Sequence, residues 1–237
     1  MKVSVIIPCY NFENYIRQCI DSVLSQITNF EFEVIVGDDL SSDNSALILN
    51  EYKGRISYYV NGKNLGLAKN TRKLVEMSSG QYITYIDGDD FYIDPYKLQK
   101  QVDFLDSNPD YVMHSTGYTY SDKDGNTQLH LVPLMPELTS QDLLNSNYVG
   151  FIRMFRNIPG VASEWMDEIE FHDWAMNFEI SLYGKIKCDD WIGGAYRLLG
   201  DGLITGLSDE QINQQNNKCR EIFSKRLQNK LQNDQIG

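Results

Sequence analysis

Residues 82–90, Tyr82-Ile83-Thr84-Tyr85-Ile86-Asp87-Gly88-Asp89-Asp90, join a β-branched and aromatic run directly to three carboxylates in four positions. The run suits a buried strand, and the acids can only lie beyond its end. Working back, Val3 to Ile7, Glu33 to Gly37 and Ile56 to Val60 read as further strands, with Tyr15 to Ile27, Ser45 to Tyr52 and Leu67 to Met77 as helices. Four strands alternating with three helices are the pattern of βαβ units and a mainly parallel sheet. Because parallel crossovers are right-handed, the carboxyl ends of the strands share one edge, where open α/β folds bind ligands. The polar residues just after each strand are therefore the candidate site residues.

Composition narrows the function. The chain has 237 residues, 42% of them hydrophobic, enough to close a core. Its 21 Lys and Arg stand against 33 Asp and Glu, a formal charge of −12 that argues against nucleic acid as a partner. The four cysteines, Cys9, Cys19, Cys188 and Cys219, show neither C-x-x-C nor zinc-like spacing and read as ordinary thiols of a reducing, cytoplasmic compartment. No apolar run reaches the roughly 18 residues of a membrane span.

At the first strand end stands Pro8-Cys9-Tyr10-Asn11. It lacks the glycines of a dinucleotide fingerprint, and no phosphate-binding G-x-x-x-x-G-K-[ST] occurs anywhere. Tyr10 suits either the stacking of a base or a place in the core. The second strand ends in Asp38-Asp39, whose ionised oxygens suit the N3–H of uracil and ribose hydroxyls. The same stretch also reads as a turn, with Ser42 or Asp43 capping the next helix. After the fourth strand, Asp87-Gly88-Asp89-Asp90 offers hard oxygen ligands for Mg²⁺ or Mn²⁺, ions that take one or two carboxylates and leave the rest to phosphates and water. An EF-hand fails, since counting from Asp87 puts Tyr92 where glycine is needed and Leu98 at the twelfth position.

Taken in order, P-x-Y-N, D-D, N-x-G-x-x-x-N (Asn64, Gly66, Asn70) and Y-I-T-Y-I-D-G-D-D resemble the family 2 glycosyltransferases of the GT-A fold, densely over about the first 120 residues. The resemblance implies an α/β fold with a Rossmann-like, mixed and mainly parallel sheet flanked by helices. It implies a nucleotide-sugar-binding half over 1–100, an acceptor-binding half over 101–207 and a C-terminal helix over 208–237. Further implied are a nucleotide-diphosphate sugar donor, usually with uridine, held by Pro8, Tyr10, Asn11, Asp38, Asp39, Asn64, Asp87 and Gly88. Mn²⁺ or Mg²⁺ would sit on Asp87 and Asp89, the D-x-D carboxylates. The catalytic base would be Asp173, in Phe171-His172-Asp173-Trp174, and Arg197, in Ala195-Tyr196-Arg197, would supply a cation near the diphosphate. The acceptor would be a saccharide or a lipid-linked saccharide. Two departures stand out: Leu40 replaces the glycine usual after the Asp pair, and His172 stands where many members have Glu.

One base and an in-line attack give inversion. Retention would need a second carboxylate, for which Glu164, Asp167, Glu168 and Glu170 are near enough in sequence. A metal-dependent phosphohydrolase and a catalytically silent GT-A domain remain rival readings of the same acids.

Beyond residue 90, Asp94-Pro95 starts a helix through Leu105, Tyr111 to Tyr120 alternates as a strand, and Lys123 to Asn126 turns toward a returning strand from Thr127 to Val132. Ser208-Asp209-Glu210-Gln211 is a capping box opening a last helix with Cys219, Phe223, Leu227 and Leu231 in one row. Its Lys218, Arg220, Lys225, Arg226 and Lys230 face one acid, Glu221. The row fits packing on the domain, a homodimer contact or a peripheral contact with an anionic membrane.

Overall fold

The computed structural model describes residues 1–128, 135–200 and 207–236. Parallel strands β1 (Val3–Cys9), β2 (Phe32–Asp38), β3 (Ser57–Val60) and β4 (Tyr82–Tyr85) lie in the order β3-β2-β1-β4. Between them run helices α1 (Ile16–Leu24), α2 (Ser45–Glu51) and α3 (Leu67–Met77). Every residue of β1 is buried, as a central strand covered on both faces requires. The expected fold class and the first-half elements are those observed, with ends shifted by a few residues at most; α3 has the expected bounds.

The second half extends the same sheet rather than forming its own. After the short β5 (Phe91–Tyr92) and helix α4 (Lys97–Ser107), the chain enters the long β6 (Tyr111–Ser121). Two-residue strands β7 (Thr127–Gln128) and β8 (Glu137–Leu138) follow, then α5 (Ser140–Leu143). Next, β9 (Ile152–Arg156) inserts between β4 and β6, antiparallel to both, and β10 (Lys185–Arg197) runs parallel to β6. The part of the expected returning strand beyond Gln128 lies outside the described residues.

A 3₁₀ turn (Glu164–Glu168) precedes helix α6 (His172–Ser181). The last helix, α7 (Asp209–Ile236), opens on the expected capping box: Gln211 Oε1 accepts the Ser208 N–H at 2.9 Å and Ser208 Oγ accepts the Gln211 N–H at 3.3 Å. Its apolar row turns inward. Cys219 and Phe223 are fully buried, and Phe223 stacks on Phe178 with ring centroids 4.3 Å apart while meeting Trp174 edge-on at 5.3 Å. Burying one such ring contributes about 2 to 3 kcal/mol. Arg226 grips the buried Glu179 with two 2.7 Å hydrogen bonds, and Arg220 donates to the Asn145 carbonyl at 2.9 Å. Packing on the domain thus occupies most of the row and two of its five basic residues. Leu231 stays exposed. No helix among the described residues is long and apolar enough to cross a membrane.

Candidate active site

Three strand ends converge as the parallel topology demands. The Pro8 carbonyl accepts the Gly88 N–H at 3.2 Å, and the Cys9 carbonyl accepts the Asp39 N–H at 2.8 Å. Gly88 is a close-approach glycine: a Cβ there would lie 2.8 Å from the Phe12 ring and 3.1 Å from the Pro8 oxygen.

At the β1 and β2 ends the chain takes two left-handed residues that are not glycine, Asn11 (φ 57°) and Leu40 (φ 63°). Asn11 suits this conformation and braces the neighbouring loop, its Oδ1 accepting the Ser42 N–H at 2.8 Å while its own N–H donates to Ser41 Oγ at 2.9 Å. Leu40 adopts what the missing glycine would have allowed freely, so the turn survives the replacement at the cost of local strain. Asp43 caps α2 at Ser45 and also accepts the Glu13 N–H at 2.9 Å. Tyr10 is 47% exposed beside these turns.

The two adjacent acids have different surroundings. Asp39 accepts the N–H groups of Leu65 and Gly66, both at 2.8 Å, and the Asn61 amide at 2.9 Å, so it ties the loop before α3 to β2. Asn64 Oδ1 supports the same loop through the Gly66 N–H at 3.1 Å, and Asn70 is buried beneath it, donating to the Gly37 carbonyl at 2.8 Å. Asp38 is fully buried; Ser41 donates to its Oδ1, and its Oδ2 has no hydrogen-bond partner among the described residues. Burial pushes the Asp38 carboxyl above its ordinary range. Asn61, just past Val60, is a site residue the sequence reading passed over. The rule that selected Asp38 would have found it.

The carboxylate loop departs from the three-acid reading. Asp90 turns away: it is buried, and its Oδ1 accepts the Arg197 backbone N–H at 2.8 Å. Two acids remain, Asp87 and Asp89. Burial first, and the Asp89 charge second, push Asp87 up to about 7, while the Tyr85 hydroxyl donates to Asp87 Oδ1 and steadies the anion. The buried guanidinium of Arg153, opposite Tyr85 in the β4–β9 pairing and 5.1 Å from its ring centroid, acts in the same direction. Nothing in the local sequence flagged Arg153, because β9 reaches this place only through the antiparallel insertion.

Arg197 lies against the carboxylate loop, with its guanidinium turned to backbone carbonyls. It is buried, its Nε donates to the Asp89 carbonyl at 2.7 Å, and its terminal nitrogens donate to the Lys123 carbonyl at 2.8 Å and Gln18 Oε1 at 2.6 Å. Tyr15 and Phe91 cover it, with their ring centroids 4.9 and 5.2 Å away. Its charge holds the backbone of the loop and is not presented to a diphosphate.

Asp173 sits in the first turn of α6, its Oδ2 accepting the Asn147 amide at 2.8 Å. The residue before it, His172, meets the ring of Tyr85 edge-on at 6.3 Å, and the Tyr85 hydroxyl donates to Asp87. Burial keeps His172 neutral by pushing its pKa down, and its Nε2 is buried with no partner among the described residues. A cavity of about 490 Å³ lies beside it, bounded by Leu65–Lys69, Ile169–His172 and Leu207. Of the alternative carboxylates, Asp167 is held by Arg72 through contacts of 2.9 and 3.2 Å.

Among the described residues no three His, Cys, Asp or Glu side chains converge into a ready metal cage. The Asp87 and Asp89 pair still suits Mg²⁺ or Mn²⁺: two crowded hard-oxygen anions, one of them pushed up by the other, leave positions for phosphate oxygens and water.

A mixed sheet with carboxylates at its parallel strand ends and an acid facing them across α6 defines a nucleotide-sugar transferase scaffold of the GT-A type. The chain belongs to glycosyl transferase family 2, whose sequence profile matches residues 4–159. It is similar to the glycosyltransferase GlyA of Streptococcus pneumoniae, 31% identical over 134 residues, 55% of this chain and 19% of that one. Among solved structures it superposes on Staphylococcus aureus TarS 1–349 in complex with UDP at TM-score 0.65 and 22% identity, covering 84% and 61% of the two chains. It also superposes on the mannosyltransferase PcManGT of Pyrobaculum calidifontis in complex with GDP-Man and Mn²⁺ at TM-score 0.62 and 15% identity, covering 85% and 58%. The chain spans about half the length, or less, of most curated relatives it matches.

Proposed function

We propose that the protein transfers a sugar from a nucleoside-diphosphate donor, a UDP-sugar, to a saccharide hydroxyl with inversion. The observation that carries this is the nearness of the two acids: the Tyr85 hydroxyl donates to Asp87, the Tyr85 ring meets that of His172 next to Asp173, and the Asp173 charge is felt at Asp87. The donor's base lies at the β1 and β2 ends, with Tyr10 as the stacking face and the partnerless Oδ2 of Asp38 as the acceptor for an N–H of the base. With both Asp39 oxygens accepting protein N–H groups, Asp39 shapes the ribose end by fixing the Leu65–Gly66 turn.

Asp87 and Asp89 would hold a divalent cation, which when bound offsets the charge that grows on the departing diphosphate. Asp173 takes the proton of the attacking hydroxyl, and Asn147 orients it by fixing Oδ2. The ion pair of Arg72 with Asp167 occupies one of the alternative carboxylates that retention would need, which favours inversion.

Calorimetry with Mn²⁺ and UDP, GDP or ADP tests the donor assignment. UDP should bind most tightly, and Asp89→Ala should abolish the metal-dependent part of its affinity. Equal affinity for all three nucleotides, or unchanged metal dependence in the variant, would overturn it.

A further inference from the structure

Four aromatic rings cluster beside the carboxylate loop. Tyr118 and Tyr120 stand two apart on β6 and so share a face, and Tyr196 pairs with Tyr120 across β6 and β10. Phe151, just before β9, closes the group: it meets Tyr118 at 4.8 Å and Tyr196 at 5.4 Å, while Tyr118 meets Tyr120 at 5.7 Å and Tyr120 meets Tyr196 at 6.1 Å. All four contacts are edge-to-face, which fixes the rings against one another and braces the Tyr196 ring. Tyr196 remains 38% exposed.

Two chain connections tie this surface to the chemistry. The residue after Tyr196 gives its backbone N–H to Asp90, so Tyr196 borders the carboxylate loop, and burial first, with the carboxylates of that loop adding to it, raises the Tyr196 hydroxyl to about 12. On the other side, the segment ending in Phe151 begins with Asn147, which holds Asp173. A molecule lying on the Tyr196 ring therefore has the carboxylate loop beside it.

We propose that Tyr196, with Tyr118, Tyr120 and Phe151, is the docking platform for the acceptor, and that the acceptor there is a pyranose ring lying flat. This rests on the sugar-transfer reading above. An aromatic face is negative, and the axial C–H groups of a pyranose are made positive by their oxygens, so the two attract while the sugar hydroxyls stay at the rim. Phenol hydroxyls at that rim can meet them. The carboxylate loop alongside disfavours an anionic occupant at the platform and suits a neutral sugar.

The test is saturation-transfer NMR on the Mg²⁺ and UDP-loaded protein with cellobiose, maltose and N,N′-diacetylchitobiose. At least one disaccharide should take up saturation at its ring C–H protons. Tyr196→Ala should weaken that disaccharide at least ~10-fold, about 1.4 kcal/mol, and Tyr196→Phe should restore it. Phe151→Leu, which keeps apolar volume but removes a ring, should give a comparable loss. No saturation in the native protein, or equal affinity in Tyr196→Ala, would overturn the platform. Failure of UDP itself to bind would instead strike the donor reading, and titrating the disaccharides without UDP still reads the platform.

Discussion

The Nε of Arg197 donates to the backbone carbonyl of Asp89 at 2.7 Å, joining residues 108 apart in the chain. A buried guanidinium that feeds carbonyls on two loops acts as a clamp, and its removal orphans those acceptors. Arg197→Met should cost about 3 kcal/mol of stability by urea denaturation. Full stability with lost UDP affinity would mean that Arg197 is a diphosphate ligand after all.

Asp173→Asn should keep UDP affinity and lower kcat roughly a hundredfold or more, the scale of general-base catalysis. Asn147→Ala, which releases Oδ2 without removing the base, should cost less. Steady-state kinetics against a saccharide acceptor reads both, and an active Asp173→Asn would reassign the base.

Leu40 lies in a conformation that favours glycine, with its side chain 47% exposed. Leu40→Gly should leave stability unchanged or raise it by up to about 1 kcal/mol, since relief of strain offsets the added freedom of the unfolded chain. Leu40→Val, β-branched, should lose about 1 to 2 kcal/mol. Urea midpoints of the two variants check the ordering.

His114 is buried, its Nε2 lies 3.1 Å from Asp189, and its Nδ1 has no partner among the described residues. Burial pushes its pKa down to about 4; Lys187 and Lys97 add to this and Asp189 opposes it. The unfolded chain takes up this proton near pH 6.5, before the folded one does. The contribution is therefore complete above pH 6.5 and is lost as pH falls toward 4, about 3 kcal/mol in all. Chemical denaturation across that window should show a flatter pH slope for His114→Gln than for the native chain.

What could be read from the sequence follows the range of the interactions involved. Helix α3 and the strand ends at Asp38 and Asp87 were legible because hydrophobic period and turn chemistry are local. Asn61 obeyed the same local rule. Arg197 and Asp90 did not: whether a buried charge meets a ligand or a carbonyl depends on partners a hundred residues away. Arg153 needed the position of β9, which no periodicity announces, and the inward turn of the Cys219 and Phe223 row needed the faces of α6.

The contact of Phe223 with Phe178 also orders events in time. Residues 1–100 carry their own parallel strands and covering helices and can collapse as soon as they leave the ribosome. The helix that carries Asp173 sets Trp174 and Phe178 against Phe223 of α7, which follows it in the chain. During synthesis Trp174 and Phe178 therefore precede their α7 partner: until Phe223 is made, both rings lack the contact it gives them.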